Sequence, residues 1–177
     1  ILYPLLITGI AQGAFPFEAN GSLIRRGDQV MGSALIGQSF KGTAWFQSRP
    51  SATGGFPYNG VPSSGSNLGP IHPDLIASLE ARAEAIRLDN PGAPKLLPAD
   101  LLTASGSGLD PHISPAAALL QVARVAGARH LDEAVVRSLV DRHIEGRTFG
   151  ILGEPRVNVL MLNLALDSLA PLPRVPQ

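Results

Sequence analysis

The sequence contains no cysteine, and charged and aromatic side chains are scarce in it. The absence of cysteine excludes disulfide bridges, thiolate zinc or iron–sulfur sites and a cysteine nucleophile. Charged residues make up 16% of the 177 residues, and 14 basic side chains balance 14 acidic ones. Because a neutral chain lacks the basic surface that attracts phosphates, we do not expect nucleic acid as a partner.

Glycine and proline are frequent instead, with 19 and 16 residues, and 45% of the chain is hydrophobic. Disordered chains have a lower hydrophobic content and usually a large net charge. The composition therefore predicts a folded chain with long loops that use the special backbone conformations of glycine and proline.

The first 17 residues carry no charge, whereas every Asp, Glu, Lys and Arg lies from Glu18 onward. A membrane-spanning helix needs about 20 apolar residues. We therefore predict that residues 1–17 are the C-terminal part of a single, truncated transmembrane helix that begins upstream of Ile1. Gly9 and Gly13 have the spacing that lets another helix pack closely. The alternative is an ordinary buried N-terminal helix.

Residues 18–170 are predicted to form one compact soluble ectodomain, followed by a proline-rich tail at residues 171–177. Short apolar segments at residues 22–26 and 30–36 flank a turn and predict a β-hairpin. Caps and helical spacing predict about four helices, from Pro73 to Asn90, from Ser114 to about Arg129, from Asp132 to the C′ glycine Gly146, and from about Asn158 to Leu169. Strands followed by helices indicate an α+β fold.

The segment from Gly37 to Pro73 has little periodicity and is far longer than an ordinary connection. Such a loop is functional, packed on its own side chains or held by a partner. It is rich in the aromatic and arginine side chains that dominate interfaces. We predict partner contacts through Trp45, Phe46, Arg49, Tyr58 and Asn59.

No catalytic residue and no metal site are expected. The four histidines form no metal-binding motif, and no serine lies in a G-x-S-x-G elbow. Ser105, Asp110 and His112 are close in sequence, but the members of a catalytic triad usually come from separate segments.

The loop at residues 103–115 is the feature most typical of a nucleotide site. Its glycines expose backbone N–H groups, and Ser114-Pro115 begins a helix whose N-terminus attracts anions. The sequence lacks the G-K-[ST] of a phosphate-binding loop, so a tight loop capped by Ser114 is the alternative. A third loop, residues 145–158, contains two Glu and two Arg, which predict ion pairs that fix it.

Nine segments, in order over almost the whole chain, match the pattern of one known family: residues 3–9, 20–24, 32–38, 46–52, 65–70, 102–115, 121–124, 145–147 and 153–160. In these segments the sequence resembles the KdpC family, the C subunits of the Kdp potassium-transporting P-type ATPase.

The resemblance implies a four-subunit bacterial pump with a potassium-uptake A subunit, an ATP-hydrolysing B subunit and a small F subunit as partners. It implies a single-span C subunit, anchored in membrane lipid through its N-terminal helix, with its soluble domain on the periplasmic side of the inner membrane. The family role is a catalytic chaperone that raises the ATP affinity of the pump. A family glutamine proposed to contact nucleotide matches Gln121.

Two hypotheses follow. In the first, the ectodomain caps and stabilises the pump through the long loop at residues 37–73 and its aromatic side chains. In the second, Gln121 binds ATP weakly together with Ser105, Gly106, Ser107 and Gly108, and no cofactor is held tightly. The implied topology disfavours the second hypothesis, because about 30 Å of hydrocarbon separates a periplasmic loop from cytoplasmic ATP.

Overall fold

The computed structural model describes residues 1–172, so residues 173–177 of the predicted proline-rich tail lie outside the described residues. The helices are α1 (Leu2–Ala14), α2 (Pro16–Ala19), α3 (Pro73–Asp89), α4 (Ala99–Leu102), α5 (Pro115–Leu120), α6 (Val122–Arg129), α7 (Glu133–Arg142) and α8 (Val159–Leu169). The strands are β1 (Leu23–Arg26), β2 (Gln29–Ser33), β3 (His112–Ile113), β4 (Ile144–Glu145) and β5 (Arg156–Asn158). The predicted mixture of helices and strands is confirmed.

The N-terminal apolar segment is interrupted. Helix α1 has 13 residues and ends before Pro16, because a proline disfavours helical geometry at the residue preceding it. A helix of this length rises about 20 Å, whereas the bilayer core is about 30 Å thick. Within residues 1–172, no helix combines the length and apolar character needed to cross a membrane. The prediction of a transmembrane helix over residues 1–17 is therefore wrong for the described chain.

The predicted hairpin is confirmed, with shorter strands. Strands β1 and β2 pair antiparallel from Arg26↔Gln29 to Leu23↔Ser33, and a bulge lies between Ile24 and Arg25. An ion pair of 2.7 Å from Arg26 to Asp167 ties the hairpin to helix α8.

A second sheet, in the order β3-β5-β4, was not predicted from the sequence. Both ladders are antiparallel, and Val157 lies opposite Ile113 on one side and Ile144 on the other. Val157 is fully buried and Ile113 nearly so. Strands of two or three residues are too short to show an alternating pattern, which explains why the sequence did not predict them.

The helix predicted from Ser114 to Arg129 is interrupted at Gln121, between α5 and α6. The Gln121 side chain donates a hydrogen bond to the carbonyl of Ala117, and its backbone N–H donates to the carbonyl of Ala118. Side-chain competition for a helical carbonyl is a recognised cause of such breaks.

Helix α7 begins at the predicted N-cap Asp132, which accepts a hydrogen bond from the backbone of Ala134. It ends at Arg142, well before the predicted C′ glycine Gly146. The reason is that Ile144 and Glu145 leave the helix to pair with β5.

The core lies between the small sheet and helices α5 to α8. Its fully buried larger side chains include Val122, Val125, Val136, Val140, Leu162 and Leu166. One further member, Phe46, comes from the long loop rather than from a helix or strand. The loop is therefore part of the folded core.

Candidate functional site

The centre of the long loop, Thr43–Gln47, is held by polar side chains of helices α6 and α8 and of the α5–α6 junction. We call these five residues the clamped segment. Each of its backbone carbonyls accepts a hydrogen bond: Thr43 from Arg124 at 2.6 Å, Ala44 from Arg129 at 2.7 Å, Trp45 from Arg124 at 3.1 Å, Phe46 from Asn163 at 2.9 Å and Gln47 from Gln121 at 3.1 Å.

Two of these side chains also accept from the segment. The Asn163 amide oxygen receives the N–H of Phe46 at 2.9 Å, and the Gln121 amide oxygen receives the N–H of Gln47 at 2.7 Å. A side-chain amide that donates to and accepts from one residue satisfies its backbone as a neighbouring strand would. The clamped segment therefore reaches the core without belonging to a sheet.

Gln121 has no hydrogen-bonding capacity left for a ligand. Its oxygen accepts from Gln47 and from Arg124 at 2.6 Å, while its nitrogen donates to Gln47 and Ala117. A primary amide has two donors and two lone pairs, and here all four are used. The residue is 2% exposed. None of these partners lies in the glycine-rich loop, residues 103–115, with which Gln121 was predicted to bind ATP.

The two aromatic residues of the clamped segment face inward. Phe46 is 0% exposed and is part of the core. Trp45 is half-buried beneath Arg129, whose guanidinium carbon lies 4.3 Å from the indole centroid. Such a cation–π contact is stronger when the cation is desolvated, and the Arg129 side chain is 1% exposed. The predicted role of both aromatics as partner anchors stays untested, and their packing stabilises this chain.

Arg49 joins the long loop to the glycine-rich loop. Its guanidinium donates to the Asp110 carboxylate at 2.8 Å. The Tyr58 hydroxyl donates to the Arg49 carbonyl, and the Asn59 backbone donates to Thr53 at 3.1 Å. Arg49, Tyr58 and Asn59 are all half-buried. In this part of the predicted interface the three residues make hydrogen bonds within the chain.

Two serines of the glycine-rich loop accept hydrogen bonds from the backbone of the same loop. Ser105 accepts from the N–H of Gly108 at 2.9 Å, and Ser107 accepts from the N–H of Leu109 at 3.1 Å. Gly108 has a φ of +68° and packs so closely that a Cβ there would lie 2.5 Å from Thr53. Gly106 stays exposed. The glycine at 108 therefore serves a close approach of two loops, which gives a structural reason for that residue type.

A carboxylate already occupies the start of helix α5. Asp100 accepts from the backbone N–H of Ser114 at 2.6 Å and from its hydroxyl at 3.0 Å. Ser114 in turn caps the helix by accepting from Ala117, as predicted. A protein carboxylate thus fills the position at which the sequence suggested a phosphate.

Asp110 is the most strongly perturbed acid of this region. Burial alone would raise its pKa, but hydrogen bonds from the side chain and backbone of His112 and from Arg49 outweigh burial and lower the pKa to about 2. The carboxylate is therefore ionised at neutral pH and links β3 to the long loop.

A cleft of about 500 Å³ adjoins Asp110, and charged side chains of both signs line it together with His112. The charged residues are Arg49, Asp100, Asp110, Glu154 and Arg156. Glu145 and Arg156 at its edge form an ion pair of 2.9 Å, and Arg147 pairs with Glu154 at 2.7 Å. The predicted ion pairs of the third loop are confirmed. The cleft combines two arginines with three carboxylates, so its lining carries charges of both signs.

Comparison with known proteins decides the family. A family model described as "KdpC: K+-transporting ATPase, c chain" matches residues 1–168. The chain belongs to the KdpC family. A relative from Sorangium cellulosum, described as "Potassium-transporting ATPase KdpC subunit", is 59% identical over 165 residues, which cover 93% of this chain and 87% of the relative. A protein of the same description from Methylococcus capsulatus is 57% identical over 169 residues, with 96% and 89% covered.

For this KdpC family member, sequence reasoning missed three of the four side chains that hold the clamped segment: Arg124, Arg129 and Asn163. A signal was available, because Arg129 and Asn163 lie among the apolar positions of their helices. Arg and Asn are rarely fully buried without partners. Their position therefore indicates buried backbone that needs hydrogen bonds.

Asn163→Asp tests the clamp with almost no change in shape. The carboxylate cannot donate to Phe46, and a buried charge replaces a neutral amide, so we expect the free energy of unfolding to fall by about 3 kcal/mol or more at pH 7. The loss should shrink on acidification, because the buried acid becomes neutral. Urea unfolding measures both effects. Asn67→Asp, at an exposed position, is the control, and equal stability of the two variants would contradict the clamp.

Asp110→Asn tests the link between the two loops. The unfolded carboxyl takes up its proton near pH 4 and the folded one only near pH 2, so acidification through this window favours unfolding of the wild type. We expect the wild type to lose about 2 kcal/mol more than the variant between these pH values. Chemical unfolding at stepped pH gives the difference. Asp141→Asn, at an exposed site, should behave like the wild type.

Proposed function

We propose that the chain is a non-catalytic accessory subunit of an ATP-driven potassium import complex, which it stabilises by contact with the other subunits. The names of its relatives support the complex, since both describe a subunit of a potassium-transporting ATPase. The observation that supports the contact mechanism is the full internal use of Gln121, the residue with the best claim to a ligand.

The polar chemistry of the site serves the architecture of the chain. The serines of the glycine-rich loop cap backbone groups, Asp100 holds a helix start, and Arg49 joins two loops. Large hydrophobic side chains are by contrast exposed on the loops, among them Leu35, Phe56, Val61, Ile71 and Ile151. Exposed apolar residues favour binding to other proteins.

The finer role of a catalytic chaperone fits the same mechanism. In this proposal the chain raises the ATP affinity of the pump by holding the other subunits in a productive arrangement, and it contributes no group to the nucleotide. A soluble domain on the outer side of the membrane can act only in this indirect way, because ATP lies beyond about 30 Å of hydrocarbon.

The requirement for the chain can be tested by omission. Co-expression of the potassium-uptake, ATP-hydrolysing and small subunits without this chain should lower the yield of intact complex and of potassium-stimulated ATP hydrolysis. Addition of the purified chain should restore both. The chain alone should hydrolyse no ATP. Assembly and activity at full level without the chain, or ATP turnover by the chain alone, would contradict the proposal.

ATP titration distinguishes the nucleotide hypothesis. Calorimetry of the purified chain should detect no site with a Kd below about 1 mM, because Gln121 and the N–H groups of Gly108 and Leu109 are already hydrogen-bonded. Gln121→Ala should instead lower stability, since it leaves the Gln47 backbone without partners. Tight ATP binding that Gln121→Ala removes while the unfolding midpoint is kept would favour direct nucleotide binding. Ser105→Ala and Ser107→Ala locate such binding in the loop.

A further inference from the structure

The connection between strands β4 and β5 ends in three apolar side chains that project into solvent. Phe149 is 88% exposed, Ile151 74% and Leu152 57%. We call residues 149–152 the apolar tip. The contacts described above use none of these side chains, although exposed aromatic and aliphatic groups on one short turn favour association.

The apolar tip is braced from the core outward. Val157, which is fully buried, pairs with Ile144, and the ion pairs Glu145–Arg156 and Arg147–Glu154 follow along the two strands. Thr148 and Leu152 then close the turn with two backbone hydrogen bonds of 2.9 and 3.0 Å. The tip is therefore a hydrogen-bonded continuation of the small sheet.

Phe149 has a left-handed backbone conformation, with a φ of +54°. This conformation is costly for a bulky residue, and glycine, asparagine or aspartate would adopt it more easily. Packing within the described chain does not offset this strain, because the Phe149 ring is almost fully exposed. Strain at an exposed apolar residue indicates that the side chain is used outside the chain.

We propose that the apolar tip inserts into an apolar pocket on another protein subunit of the transport complex. This inference rests on the proposed function and names the surface that carries it. The braced turn presents its side chains in a fixed arrangement, which reduces the entropy lost on docking. A buried aromatic anchor surrounded by polar groups is the usual form of an interface hot spot.

The charges at the base of the tip select a protein over a lipid surface. Arg147 and Arg156 are each paired with a carboxylate within 3 Å, so the base has no net positive charge. Binding to anionic lipid relies on basic residues near the surface, each of which contributes attraction. A neutral rim of paired charges suits a protein pocket whose own rim is polar and uncharged.

Phe149→Asn tests the proposal in the assembled complex. Asn removes the ring and adopts the left-handed conformation easily, so the unfolding midpoint of the full chain should stay the same or rise. Affinity for the co-expressed potassium-uptake and ATP-hydrolysing subunits, measured by co-purification and exchange in detergent, should fall at least about tenfold. The matched control is Leu96→Asn, because Leu96 is 86% exposed, close to the value for Phe149, and lies on the α3–α4 connection outside the surfaces named above. This control should keep wild-type affinity.

Several results would overturn the proposal. Wild-type affinity of Phe149→Asn overturns it and leaves the proposed function intact, provided that omission of the chain still prevents assembly. A lowered unfolding midpoint of Phe149→Asn contradicts the strain argument. Flotation with vesicles of phosphatidylglycerol and phosphatidylethanolamine that the variant loses assigns the tip to the membrane. A concentration-dependent dimer that the variant loses, seen by sedimentation, assigns the tip to a second copy.

Discussion

The structure depends on the need of a loop backbone for hydrogen bonds once it enters the core. Phe46 brings its neighbours inside with it, and buried peptide groups without partners would cost more than the burial of one ring returns. Among residues 1–172, no strand pairs with the clamped segment. Arg124, Arg129, Asn163 and Gln121 supply the missing partners from the helices, and several of these bonds are strengthened by charge.

The position of the other loops follows from the clamped segment. With residues 43–47 fixed, Arg49 lies close enough to bond Asp110. The glycine-rich loop packs against Thr53 through Gly108, where any side chain would collide with Thr53. Ser51 adds a hydrogen bond of 2.7 Å to the Gly108 carbonyl. Two segments without regular structure thus form one ordered surface, although neither has a hydrophobic core of its own.

Sequence patterns predicted the hairpin, helix α3 and the caps at Ser114 and Asp132, because turns, caps and helical periodicity depend on residues only a few positions apart. They failed where distant residues decide. At the helix break the Gln121 side chain also bonds Gln47, 74 positions away, and each strand of the second sheet forms only by pairing with a strand distant in sequence. The prediction of a spanning helix failed for a local reason: residues 1–17 are uncharged throughout, but Pro16 ends the first helix at Ala14. Within the candidate site, the types of residue suggested binding of a ligand, whereas Gln121, Arg49 and Ser105 make hydrogen bonds to other parts of the chain.

Gln121 illustrates how a structural residue can look functional. In a subunit that acts by contact, loosening the clamped segment would disturb both loops that Arg49 and Asp110 connect, and the surface offered to the pump would change with them. A substitution at Gln121 would then alter ATP hydrolysis in the assembled complex without any contact between this side chain and nucleotide. Coupling of this kind needs only one packed element with alternative arrangements, and the long loop has the length to provide it. The implied nucleotide effect and the observed hydrogen bonds are therefore compatible, with the effect transmitted through the shape of the loop surface.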